Sequence, residues 1–82
     1  MSKFEEAQKR VKQLTTRPSN ETLLQLYALF KQGSEGDVTG KRPGMLDLKG
    51  RAKYDAWASK KGLARDAAVE QYCALVTKLE NG

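Results

Sequence analysis

Apolar positions recur at helical intervals along most of the chain, and no segment alternates as a half-buried strand would. Ser2 and Glu5 stand at the spacing of a capping box. Phe4, Ala7, Val11 and Leu14 then follow one face until Thr15, Thr16 and Pro18 interrupt, which predicts a first helix over about residues 3–15. Beyond Pro18, Ser19 and Asn20 are capping residues and Glu21 suits a first turn. Leu23, Leu24, Leu26, Tyr27 and Phe30 form a wide apolar stripe that predicts a second helix ending near Gly33. A third helix should begin at Lys49 or Gly50 and run through AKYDAWASKK, with Ala52, Ala56 and Trp57 turned inward and Gly62 at its C-terminal end. A fourth, over about residues 64–80, spaces Val69, Tyr72, Val76 and Leu79 along one face, with Ala68 and Leu75 flanking, Asp66 early and Lys78 late. Neither Leu63 nor Ala64 is a good N-cap, so this start is poorly marked.

The segment from 33 to 48, GSEGDVTGKRPGMLDL, breaks the pattern. It carries four of the seven glycines and a Pro43-Gly44 turn signal, and it predicts neither helix nor strand. Long loops in small domains are often functional. At 82 residues the chain has one core to build, so the reading is a single all-α domain, residues 1–82, of four helices.

Composition narrows the function classes. There is no histidine, which removes the commonest metal ligand and general base. Cys73 is the single cysteine, so no intramolecular disulfide is available and a reducing compartment fits. The chain has no apolar run near the roughly 18 to 20 residues that a span needs, and MSKFEEAQKR lacks the apolar region of a secretory signal. No membrane insertion and a cytoplasmic location are therefore expected. Fifteen Lys and Arg against ten Asp and Glu give a net charge of +5, which suggests an anionic partner without choosing one.

Candidate chemistry lies on the second and third helices. Tyr27 and Lys31 are four apart, with Phe30 beside them, so an aromatic and an ammonium share one face; such a pair suits a nucleotide. Lys49 and Lys53 repeat the spacing, and like charges there destabilise an isolated helix by about 0.2–0.5 kcal/mol. A bound polyanion would relieve that repulsion. The plain alternative is that lysines solvate a surface and aromatics fill a core, and spacing alone favours it. Trp57 reads as a core anchor, Cys73 as a small, partly buried helix residue, and Asp47 and Asp55 as ion-pair or loop partners.

The stretch YALFKQGSEGDVTGKRPGMLDLKGRAKYDAW, residues 27–57, closely resembles the acyl-CoA-binding protein family. The likeness lies in the Tyr-x-x-aromatic-Lys-Gln run, Gly-Asp, Arg-Pro-Gly-Met and the Lys-x-x-Ala-Lys-aromatic-Asp-Ala-Trp helix, and it extends from Phe4 to about Glu80. The resemblance implies a four-helix bundle of up-down-down-up topology with a shallow, bowl-like site for long-chain acyl-CoA. It implies a non-enzymatic carrier, with no cofactor beyond the carried ligand, that forms an intracellular pool for fatty acid metabolism and supplies acyl-CoA-using enzymes. Carried over by position, the 3′-phosphate clamp falls on Tyr27, Lys31 and Lys53, the adenine contact on Tyr72, and further head-group contacts on Lys12 and Lys49. Ala28, Leu29 and Phe30 would line the site, with Leu23 and Leu24 toward the acyl and pantetheine parts. Arg42, Pro43, Gly44 and Met45 look structural in this scheme.

Three positions depart from the family pattern. Phe30 replaces a frequent tyrosine, Tyr54 a frequent tryptophan, and Arg17 a frequent lysine; none removes a phosphate-binding lysine. Two other classes fit the chain less well. A small basic nucleic-acid-binding domain lacks a helix-turn-helix spacing, zinc ligands or an RNA-binding aromatic strand motif, so no nucleic acid is expected. An acyl-CoA hydrolase lacks a credible base and nucleophile. No sustained heptad seam is present, and a monomer is the expectation.

Overall fold

The computed structural model describes residues 2–82, and among them the regular structure is four helices with no strand: α1 Lys3–Val11, α2 Asn20–Glu35, α3 Leu48–Ala58 and α4 Arg65–Glu80. Three starts are capped as their side chains permit. Ser2, Ser19 and Asp47 accept hydrogen bonds from the backbone N–H groups of Glu5, Thr22 and Gly50, and the Ser2 hydroxyl also donates to Glu5. Ala64 begins α4 with no side-chain cap, as its chemistry requires.

Each predicted helix exists, with shifted ends. α1 stops at Val11, short of the expected Thr15, because Lys12 and Gln13 donate to Lys9 and Arg10, tightening the last turn into i−3 bonds before the Thr-Thr-x-Pro segment. α2 runs past Gly33 to Glu35. Gly33 is helical, and it is a close-approach residue: a Cβ there would lie 3.0 Å from Val69 Cγ2 and 3.3 Å from Phe4 Cζ. The true stop is Gly36, at φ 83° and ψ −150°, a conformation open mainly to glycine. α3 starts at Leu48, one residue early, because Asp47 caps it, and it ends at Ala58; turns fill the interval before Gly62 at φ 91°.

Contacts at the helix ends set the directions. Arg10 near the end of α1 meets Thr77 and Glu80 near the end of α4, and the Cys73 thiol lies 3.6 Å from the Lys3 carbonyl, so α1 and α4 run parallel. Trp57 near the end of α3 donates its indole N–H to Gly36 O at 2.8 Å, past the end of α2, so these two also run parallel. Arg65 at the start of α4 donates to Glu35 O at 2.9 Å, which makes α4 antiparallel to α2. The result is up-down-down-up. α2 is central, packed along both α4 and α3, while α1 packs along α4.

The core is built mainly on the α1, α2 and α4 faces: Ala7, Leu26, Leu29, Ala68, Tyr72 and Val76, with Phe4, Val11, Phe30 and Leu79 packed against them. Phe4 organises the aromatic part, edge-on to Tyr72 at 5.3 Å between centroids and tilted against Phe30 at 5.9 Å. One polar residue is buried with them. Gln32 donates at 2.8 Å to both Asp37 Oδ1 and the Leu63 carbonyl, and the same Asp37 oxygen accepts from Gly62 N–H, which ties the end of α2 to the α3–α4 turn. These donors hold the Asp37 carboxyl below its ordinary pKa, with the Gly62 amide the leading cause.

Candidate functional site

Because α2 and α3 run parallel, their side chains meet at a constant offset. Leu23 and Lys49 border the same groove, the Lys53 ammonium lies 5.5 Å above the Tyr27 ring, and the Lys31 ammonium lies 4.8 Å above the Trp57 ring. The three pairs step along the helices four residues at a time, so an aromatic on one helix faces a cation on the other in each of the last two steps. Near the start of both helices the rungs open into a groove of about 500 Å³. Leu23, Leu24 and Tyr27 form one wall, Lys49, Ala52 and Lys53 the other, and Arg17, Asn20 and Leu48 the rim. Asn20 fixes Arg17 there through a 3.2 Å hydrogen bond from the guanidinium.

The charges in this groove are free to act on a ligand. Among the described residues neither Lys49 nor Lys53 has a carboxylate within salt-bridge distance, whereas Lys31 is paired with Glu35 one turn along its own helix. A second hollow of about 570 Å³ lies between α2, α3 and α4 and shares Leu24 and Ala52. It is bordered by Glu21 and Asp55 and by no cation, so an anion is directed to the first groove.

The loop between α2 and α3 is anchored to α3. Arg42 bonds both Asp55 carboxylate oxygens, at 2.9 and 2.7 Å, and the Tyr54 hydroxyl donates to Gly40 O at 3.1 Å. Asp55 is thereby held below the ordinary carboxylate pKa, chiefly by the Arg42 hydrogen bond, and Arg42 is raised. Asp47 and Asp55 thus serve as a helix cap and an ion-pair partner, and Tyr54, where a tryptophan is frequent, uses its hydroxyl to hold the loop.

Of the residues singled out from sequence, Leu23, Leu24, Tyr27, Lys49 and Lys53 are brought together in the groove. Lys31 stands one turn beyond Tyr27 on the same face. Ala28 and Leu29 do not line it: they are 0% and 4% exposed and face the core, since α2 carries apolar contacts on two sides. Phe30 packs on Phe4, Lys12 is exposed at the end of α1 outside the groove lining, and Met45 is exposed rather than packed.

Tyr72 is a core residue by packing, 4% exposed, and burial pushes its phenol pKa up. Four groove residues were not singled out as site residues: Arg17, Asn20, Leu48 and Ala52. The stripe Leu48, Lys49, Ala52, Lys53 was visible as helical spacing; Arg17 and Asn20 needed the path of the chain around Pro18.

The fold and this groove define a class: a small parallel-paired helical bundle with an open, cation-lined cleft for an amphipathic anion. The chain matches the acyl CoA binding protein family over residues 1–76, and it belongs to that family. It is 59% identical over 76 residues to acyl-CoA-binding protein homolog 1 of Caenorhabditis elegans, covering 93% of this chain and 88% of that protein. It is 51% identical over 76 residues to the Drosophila melanogaster homolog, with the same coverage. The crystal structure of Oryza sativa acyl-CoA-binding protein 2 superposes with a TM-score of 0.92 at 40% identity, covering 96% of this chain and 86% of that one.

Proposed function

We propose that the α2–α3 groove binds long-chain fatty acyl-CoA esters and that the chain, acting as one domain over residues 1–82, is a monomeric cytoplasmic carrier that forms an acyl-CoA pool without catalysing a reaction. The observation that carries this reading is one open groove that holds Lys49 and Lys53, neither of them paired with a carboxylate among the described residues, with Lys53 over the Tyr27 ring and leucines along the wall. Such a groove suits a ligand that is polyanionic at one end and apolar at the other. Family membership and the names of the relatives support it.

In this reading Tyr27 and Lys53, with Lys31 one turn on, hold the phosphorylated ribose. Lysine brings three donors and a compact charge to phosphate, and tyrosine brings a ring face and a hydroxyl. Lys49 and Arg17 add charge at the rim, and Leu23 and Leu24 cover the pantetheine and acyl parts. The groove is open, so association should weaken as salt is raised. No acid–base pair or activated nucleophile is required, because the ligand leaves unchanged for acyl-CoA-using enzymes.

Each buried methylene contributes at most about 0.8 kcal/mol before the cost of ordering the chain is subtracted, so affinity should climb with acyl length. The test is a calorimetric series from free CoA through short-chain esters to palmitoyl-CoA, with free palmitate alongside. Tight binding of palmitoyl-CoA and poor binding of both CoA and palmitate are expected. Affinity that is flat with chain length, or palmitate equal to its CoA ester, would sink the proposal.

A further inference from the structure

Three lysines stand along the α2–α3 seam, and one of them is already occupied. Lys49 and Lys53 have no carboxylate partner among the described residues, whereas Lys31 is paired with Glu35 and lies 4.8 Å above the Trp57 ring. The other carboxylates beside these elements are engaged elsewhere: Asp55 on Arg42, Asp37 on Gln32 and the Gly62 N–H, and Asp47 at the α3 N-terminus. Among the described residues Glu35 is therefore the one acid that neutralises a lysine of the site.

As a support for its helix this pair is badly placed. Glu35 is the last residue of α2, at the negative end of the helix dipole, and that last turn carries no basic residue. The order, cation first and acid four residues later, is the weaker one for such a pair. Both side chains reach water, at 21% and 51% exposure, so little stability comes from it. Its effect falls on the ammonium. The Cα–Cβ bonds of a helix tilt toward its N-terminus, which favours a path for Lys31 toward Tyr27, one turn back; Glu35 draws the charge the other way, one turn on. We propose that Glu35 is an internal competitor for the 3′-phosphate of the ligand and so sets how strongly the groove distinguishes CoA esters from their 3′-dephospho forms. The inference rests on the carrier reading above. A phosphate brings more charge than a carboxylate and is held by Lys53 and Tyr27 as well, so it takes Lys31 over. Binding is weakened by the broken pair and by a carboxylate left close to the phosphate.

Calorimetry with palmitoyl-CoA and 3′-dephospho-palmitoyl-CoA tests this. Glu35→Gln should bind palmitoyl-CoA about threefold more tightly than the parent does, the size expected for an exposed pair, and should bind the dephospho ester as the parent does. In a Lys31→Gln background, adding Glu35→Gln should change neither affinity. Glu70→Gln, the same change of net charge at an exposed position of α4, should also change neither. Circular dichroism and the thermal midpoint establish that each variant is folded. An unchanged or weaker affinity of Glu35→Gln for palmitoyl-CoA overturns the proposal, and the weaker case makes Glu35 a residue that holds Lys31 ready for the phosphate. A gain that extends to the dephospho ester, that persists without Lys31, or that Glu70→Gln reproduces overturns it too, and reduces Glu35 to a general repulsion. Failure of the carrier reading is distinct, because it shows in the parent: a parent that binds neither ester ends both.

Discussion

The bundle contains two parallel helix pairs, and they are finished differently. Between α1 and α4 the seam is closed: Ala7 and Val76 are fully buried, Phe4 stacks edge-on to Tyr72, and Arg10 reaches across to Thr77 and to Glu80 at 2.8 Å. Between α2 and α3 the lower end is closed by Trp57 on the Gly36 carbonyl, but the upper end is left as an open groove whose lysines have no carboxylate partner among the described residues. The same geometry thus gives a strut in one case and a site in the other. The Phe4 and Tyr72 rings, Ala7, Val76 and a matched ion pair fill the first; Ala52 between Lys49 and Lys53 leaves the second unfilled.

If that division holds, stability and affinity should separate by helix pair. The largest effect belongs to the seam: Tyr72→Ala should destabilise the fold by about 3–5 kcal/mol, read as a lower midpoint in urea. Tyr72→Phe should change that midpoint far less, because the ring that fills the core and meets Phe4 is kept. A drop in acyl-CoA affinity for this variant alone would bring Tyr72 into the site by its edge, and no drop would confine it to the core.

Next comes Lys53→Ala, which should weaken palmitoyl-CoA binding by about 1.5–3 kcal/mol, the range for a hydrogen bond to a charged group. Its stability should stay within about 0.5 kcal/mol of the parent, as for an exposed position. Loss of both together would mean that the groove lysine is structural. Trp57→Phe should cost about 1–3 kcal/mol of stability, by leaving the Gly36 carbonyl unpaired while largely preserving the ring. Affinity measured under folding conditions should change little; a large loss would place the Trp57 ring in the ligand's path.

The smallest expected effect is in acid. Asp37 and Asp55 both have folded pKa values below the ordinary 3.8. Their contribution is therefore complete above that value and is lost as pH falls through the lowered folded values. Urea midpoints should be level from neutral pH to about pH 5 and fall below pH 4 as far as these carboxylates are concerned. Asp55→Asn should flatten part of that fall and loosen the loop held by Arg42. An unchanged acid limb in the Asp55→Asn, Asp37→Asn pair would show that these contacts are too well solvated to matter.

What could be read from the chain alone was local. Four helices follow from the spacing of Phe4 to Val11, Leu23 to Phe30, Ala52 to Trp57 and Val69 to Leu79, because a helix with one buried stripe repeats its apolar residues every three or four positions whatever it packs against. The caps at Ser2 and Ser19 and the lysine spacing on α3 are legible for the same reason: each involves residues within one turn. Resemblance of residues 27–57 to known sequences added the chemistry of the lysines, yet it marked Ala28, Leu29 and Phe30 alongside Tyr27 and Lys31. Only the tertiary structure separated them. α2 is packed on two sides, so its apolar residues are not one face, and periodicity cannot say which of them meets α4 and which borders α3. The register that sets Lys53 over Tyr27, the burial of Gln32 on Asp37 and Leu63, and the arrival of Arg17 at the groove all join residues far apart in sequence or across a turn. Spacing along one helix determines the angles between its own side chains; the partner each side chain finds is decided by how the helices are aligned against one another.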